Sequence, residues 1–139
     1  MTHLAQLRGR SVQVLRPSKG DTGPKRWQTL IRIPHRASKR ILRPVSGKAQ
    51  QGVEYVWWSR GKRHCVRIHD ADPSVQPTPG YPAPNARVGW VVRIAQGKRY
   101  MDPEGRVHPW AELNPNGPGY NEFIVNETHI PIVPPSAYP

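Results

Sequence analysis

Val53-Glu-Tyr-Val-Trp-Trp-Ser-Arg-Gly-Lys-Arg-His-Cys-Val-Arg-Ile-His69 decides how this chain folds. Two runs rich in valine, isoleucine and aromatic residues flank Ser59-Arg-Gly-Lys62, the composition of a β-hairpin with Gly61 in its turn. Successive strand side chains point to opposite faces. Cys65, Arg67 and His69 therefore share one face, and His64 points to the other. Trp57 and Trp58 are adjacent, so one faces the core and the other faces out, where it can stack on a nucleobase.

Working outward, Asp70 to Asn85 is a loop with five prolines, long enough to be functional or pinned across a surface. Val88-Gly-Trp-Val-Val-Arg-Ile94 predicts a central strand. Arg99-Tyr-Met-Asp102, a turn at Pro103-Glu-Gly and a return through Arg106-Val-His108 follow. Tyr120 to Glu127 reads as a short helix or a strand, and Thr128-His-Ile-Pro-Ile132 as extended chain, since residues before proline avoid the α region. Upstream, Ser11 to Leu15 and Thr29 to Ile33 alternate like strands, with a loop over Lys19 to Lys25. Arg36, Lys39, Arg40 and Arg43 form a basic cluster that reads as a solvated arm. The expectation is an α+β fold: an antiparallel sheet of four or five short strands, with one or two short helices near the N-terminus. Residues 1–50 form a basic arm or flanking strands, and residues 51–139 the catalytic domain. A barnase-like or colicin-ribonuclease-like sheet fits the size by analogy alone.

Composition narrows the function. The chain has 139 residues, with 21 Lys+Arg against 9 Asp+Glu and a formal net charge of +12. Such a surface suits nucleic acid or another anionic partner. One cysteine excludes an intrachain disulfide framework and a multi-cysteine zinc site. No apolar run is long enough to span a membrane, and no signal-peptide pattern opens the chain. Seventeen prolines and twelve glycines forbid long helices.

Metal-free RNA cleavage needs a base for the 2′-hydroxyl proton, an acid for the 5′-oxygen and cations for the phosphorane. His69 and His129 are the candidate acid–base pair, with Thr128 beside the second. Arg67 and Arg93 are the candidate phosphate ligands, because a guanidinium grips phosphate bidentately. Lys62, Arg63, Trp58, Lys98 and Tyr100 are candidates for binding the rest of the polymer. His108 reads as a surface residue, and His3 and His35 lie outside the motif-bearing part. Asp70 and Asp72 beside His69 read as an Asx-type turn closed by Pro73 rather than a metal site. Cys65 reads as a structural thiol.

Val66-Arg-Ile-His-Asp-Ala-Asp-Pro-Ser74, Gly89-Trp-Val-Val-Arg-Ile94, Tyr100-Met-Asp-Pro-Glu-Gly-Arg-Val-His-Pro109 and Thr128-His-Ile-Pro-Ile132 occur in this order. Over roughly residues 52–133 the chain resembles the polymorphic toxin type 30 domain. The resemblance implies a toxin for competition between bacteria, built as a small nuclease and paired with a dedicated immunity protein. The chain departs from the pattern in starting at its own Met1 and in its long, proline-rich 71–87 loop.

The reading is therefore a monomeric endoribonuclease toxin that uses no metal and no cofactor. Its partners are RNA and an acidic immunity protein, and it acts in the cytoplasm of a target bacterium. Two rivals remain open. One is a non-catalytic basic nucleic-acid binder. The other is an ADP-ribosyltransferase acting on NAD, with Arg32 or Arg67 holding the dinucleotide and Glu122 or Glu127 acting late in the chain.

Overall fold

The structure, a computed structural model, describes residues 7–16 and 26–132. His3 and the Lys19–Lys25 loop lie outside the described residues. Strands β1 (Ser11–Arg16) and β2 (Arg26–Arg32) pair antiparallel as a separate two-stranded sheet, with a register shift between Val12 and Gln13. The main sheet holds β3 (Ser38–Ile41), β4 (Gly52–Ser59), β5 (Lys62–His69), β6 (Val91–Gln96), β7 (Arg99–Met101) and β8 (Val107–Pro109) in that spatial order. The short β9 (Ile130–Pro131) shares the far edge of β6 with β7: β9 pairs at Val91 and Val92, β7 at Ala95 and Gln96.

The hairpin forms as its residues require. Arg60 (φ 53°) and Gly61 (φ 76°) both take the left-handed region, the signature of a two-residue type I′ turn that matches the twist of its strands. That turn fixes the register from Ser59↔Lys62 to Gly52↔His69. Val53, Tyr55 and Trp57 of β4 then share a face with Val66 and Ile68 of β5 and with Val92 and Ile94 of β6, all buried. His64 belongs to this face, its ring stacked on Trp57 at 5.4 Å and 7°.

Of residues 1–50, the described part supplies β1, β2 and β3, and Leu7, Val12, Val14, Ile33 and Ala37 join the same core cluster as Tyr55 and Ile68. Burial is worth about 1.5–3 kcal/mol for each large apolar side chain. Tyr55, fully buried, packs in that cluster and is held by a hydrogen bond with the Leu7 backbone.

Two expectations need correction. The main sheet has seven strands, not four or five: β3 falls in the basic stretch read as a solvated arm, where Arg40 instead pairs with Glu54, and the two-residue β9 falls in a stretch read only as extended chain. The two α-helices among the described residues, α1 (Asn85–Val88) and α2 (Glu122–Glu127), lie in the C-terminal half rather than near the N-terminus. The upstream residues form strands, as their alternation dictates. Helix α2 starts at Asn121, whose Oδ1 accepts from the backbone N–H groups of Phe123 and Ile124. No helix among the described residues is long and apolar enough to cross a membrane.

Candidate active site

The face of the main sheet opposite the core carries three of the candidate residues, Arg67, His69 and Arg93. Register alone composes it. Arg40 on β3 stands opposite Glu54 on β4, Glu54 opposite Arg67 on β5, and Arg67 opposite Arg93 on β6. The β6–β9 register, continued by one residue, puts His129 opposite Arg93. The neighbouring row runs from Gly52 through His69 and Val91 to Pro131. A Cβ on Gly52 would come within 2.6 Å of Leu42 Cδ1 and 2.7 Å of the Ile68 carbonyl, so only glycine leaves room there beside His69. His69 and His129 thus sit on chain segments flanking β6 from its two sides, about two interstrand spacings (roughly 10 Å) apart across the sheet and offset by two residues (about 7 Å) along it.

Both imidazoles are locked in one tautomer. His69 Nδ1 lies 2.7 Å from the Asp70 carbonyl and His129 Nδ1 lies 2.8 Å from the Val125 carbonyl. A carbonyl only accepts, so each Nδ1 carries a proton and each Nε2 is left free to face a substrate. Burial pushes the His129 pKa down to about 4, and the nearby positive charges of Arg93 and His69 push the same way against the Val125 carbonyl. His129 is therefore neutral at pH 7.

Among the cations, Arg67 lies 3.6 Å from Glu54 and Arg40 lies 3.1 Å from it. Arg93 packs over the Tyr100 ring at 4.2 Å from its centroid. Burial lowers the Arg93 pKa from its ordinary value, with Tyr100 opposing and Arg67 reinforcing. Its buried Nε makes no hydrogen bond. A buried donor left without an acceptor costs about 1–3 kcal/mol. Three guanidiniums against one carboxylate, one of them under-bonded, give this row a net positive charge.

His69 also lines a recess of about 120 Å³ with Arg43, Lys48, Arg67 and Asp72. His129 lines a different, larger cavity, of about 260 Å³, under the proline-rich loop. The Asx turn forms: Asp72 Oδ1 accepts from the Ser74 N–H and hydroxyl, while Asp70 Oδ1 accepts from the backbone N–H groups of Gln50 and Gln51. Among the described residues no cluster of three or more His, Cys, Asp or Glu side chains is arranged to hold a metal ion.

The other candidates are placed as follows. Thr128 is fully buried at the end of α2, its hydroxyl donating to the Val125 carbonyl. Lys62, Arg63 and Lys98 are exposed at the hairpin tips, with Trp58 64% exposed beside them and cross-strand from Arg63. Tyr100 lies between this basic tip and the arginine row. Cys65 is half-buried on the open face, and burial followed by the charge of Glu54 raises its pKa. Contrary to a surface placement, His108 bridges Asp102 (2.8 Å) and Glu112 (3.4 Å) and is largely buried.

Sequence reasoning missed Glu54. Its signal was there: a two-residue turn at Arg60-Gly61 pairs residues whose numbers add to 121, and that places Glu54 against Arg67.

A family model described as bacterial toxin 30 matches residues 28–133, from β2 to just past β9. No curated protein and no solved structure matches the chain, so the barnase- or colicin-like expectation gains no support from comparison.

Proposed function

The chain belongs to the bacterial toxin 30 family, and from that premise we propose that it is a metal-independent endoribonuclease. The observation that carries this reading is the Glu54–Arg67–Arg93 row flanked by two imidazoles of fixed tautomer. RNA lies across the open face with the scissile phosphate against Arg67 and Arg93. His129, neutral at pH 7 and presenting the Nε2 lone pair, takes the 2′-hydroxyl proton as the 2′-oxygen forms its bond to phosphorus. Arg67 and Arg93 stabilise the charge on the phosphorane oxygens. Glu54 holds Arg67 in place. His69 gives a proton to the leaving 5′-oxygen, yielding a 2′,3′-cyclic phosphate and a 5′-hydroxyl. Thr128 acts only by closing α2. Lys62, Arg63, Lys98 and Trp58 hold the flanking nucleotides by charge and stacking.

Incubation of purified protein with RNA in EDTA tests this. Fragments ending in 2′,3′-cyclic phosphate are expected, and a folded His69→Ala variant should lose about 10²–10⁴-fold in rate and no longer arrest bacterial growth. RNA that binds but stays intact would leave a basic nucleic-acid binder instead. Transfer of label from NAD would favour the ADP-ribosyltransferase.

The family also motivates the biological setting we propose: delivery into a competitor's cytoplasm and neutralisation by an acidic immunity protein. The +12 chain steers such a partner, so its association rate should fall steeply with added salt. A salt-independent rate would argue against that partner.

A further inference from the structure

The larger cavity is not used by the chemistry above, although His129 forms one of its walls. It lies between the proline-rich loop and α2. At about 260 Å³ it falls below the roughly 300–1,000 Å³ of pockets for drug-sized ligands, and suits a single fused ring system. Its rim is aromatic: Tyr81 and Phe123 stand with ring centroids 5.1 Å apart and tilted at 55°, and Phe123 is 61% exposed. The loop is held in place by side chains. Arg87 donates to the Pro73 and Val75 carbonyls at 2.6 and 2.8 Å, and Asn85 donates to the backbone carbonyls of Asn126 and His129. The cavity is therefore formed in advance of any ligand.

Its polar centre is Glu122. Thr78 donates to Oε1 at 2.6 Å and Tyr120 to Oε2 at 2.5 Å. These two hydroxyls hold the Glu122 pKa below the ordinary carboxylate value. An ionised carboxylate only accepts, and its two oxygens offer about four lone-pair sites. With one hydroxyl bound to each oxygen, each oxygen keeps capacity for a further donor.

We propose that this cavity binds the base of a guanosine adjoining the scissile phosphate, with Glu122 accepting from guanine N1–H and N2–H. This rests on the ribonuclease reading, because His129 joins the cavity to the phosphate row. Guanine is the one standard base with two adjacent donors on its Watson–Crick edge. Adenine and cytosine each set a ring-nitrogen acceptor beside the amino group, which the carboxylate repels. Uracil flanks its single N–H with carbonyl oxygens, also repelled. Tyr81 and Phe123 supply the stacking surface by which proteins hold unpaired RNA bases.

Calorimetric titration of the full chain, in EDTA, with the 3′-monophosphates of guanosine, adenosine, cytidine and uridine tests the cavity apart from catalysis, since none of these can be cleaved. Guanosine 3′-monophosphate should bind at least ten-fold tighter than the other three. Glu122→Gln should bring its affinity down to theirs while leaving the common phosphate affinity in place. Phe123→Ala, at an exposed position that the fold tolerates, should weaken guanosine 3′-monophosphate about five-fold and keeps the test open if the Glu122 variant misfolds. Equal binding of all four, preference for another base, preference surviving Glu122→Gln, or indifference to Phe123→Ala would overturn the proposal. A guanine preference in a protein that leaves RNA intact would keep the cavity assignment and remove the ribonuclease reading. Cleavage of RNA with no guanine preference would do the reverse.

Discussion

The open sheet face and the shoulder made by the 71–87 loop with α2 both deliver groups to the candidate site, by different physics. On the sheet, position follows from backbone register: once Arg60-Gly61 turns, Glu54 must oppose Arg67, and Arg93 follows on the next strand. On the shoulder, position follows from single side-chain bonds across the sequence. Thr78 reaches Glu122 over 44 residues, and the Asn85 backbone N–H reaches Asn126 Oδ1 over 41. A register is over-determined by a ladder of hydrogen bonds and by the buried side chains behind it. A side-chain clasp is one or two bonds, each worth only about 0.5–1.5 kcal/mol net. The sheet should therefore set whether the protein folds, and the shoulder how well His129 is held.

The largest effect expected from this contrast is on the sheet. Removing residues 1–50 deletes β3, the partner of β4 on that side, and strips Leu7, Val12, Val14, Ile33 and Ala37 from the core. Five such side chains at about 1.5–3 kcal/mol for the larger ones approach or exceed the 5–15 kcal/mol by which a whole domain is stable. A chain starting at residue 51 should lose its cooperative thermal transition, by circular dichroism and calorimetry. A truncated protein that melts cooperatively and still cleaves RNA would show that the N-terminal strands are accessory, and the contrast would fail.

A smaller effect belongs to the shoulder and depends on pH. His129 has a pKa of about 4 in the fold, with burial as the chief cause, against 6.5 when unburied. Below pH 6.5 the unfolded chain takes up a proton that the folded chain refuses, so stability falls as pH falls from 6.5 toward 4. Between pH 6.5 and 4.5 the loss should be about 2–3 kcal/mol. The Asp72, Asp102 and Glu122 carboxylates, all with lowered pKa values, lose their contribution only below that window. Urea titrations of the wild type and of His129→Gln at both pH values measure the difference. The variant should show a flatter dependence, and identical slopes would mean that His129 is not buried neutral.

The same contrast explains what could be read from the sequence. The β4–β5 hairpin, the inward Trp57 and outward Trp58, and the shared face of Cys65, Arg67 and His69 all follow from a period of two and one glycine turn. Glu54 needed only that hairpin register carried down to its partner Arg67. The return at β8 and the extended β9 segment are legible, but β3 has four residues, three of them exposed, and its charges read as a solvated arm, which is why the sheet reads too small. Nothing local could reveal the Glu122 cavity, because Thr78, Tyr81, Tyr120 and Glu122 meet only after the proline-rich loop folds back on α2. His108 illustrates the same limit. Its neighbours Glu112 and Asp102 are close in sequence, yet their convergence on one ring depends on the Pro103–Gly105 turn and the 3₁₀ turn at Trp110–Glu112.

The smallest effect expected tests whether the shoulder tunes the site rather than the fold. Asn121 caps α2 by accepting from the Phe123 and Ile124 N–H groups, and the first turn it organises also carries Glu122. One turn further on, the Val125 carbonyl holds His129 Nδ1 and the Thr128 hydroxyl. Replacing Asn121 by alanine leaves two helix-start donors to water and should cost about 1 kcal/mol of stability, a small fraction of the total. The cleavage rate should nonetheless fall several-fold, since a looser α2 lets the His129 ring turn and its lone pair leave the 2′-hydroxyl. Serine at the same position restores the cap and should restore both. If Asn121→Ala loses the stability but keeps the full rate, the position of His129 comes from β9 and the sheet, and the shoulder has no part in holding the base.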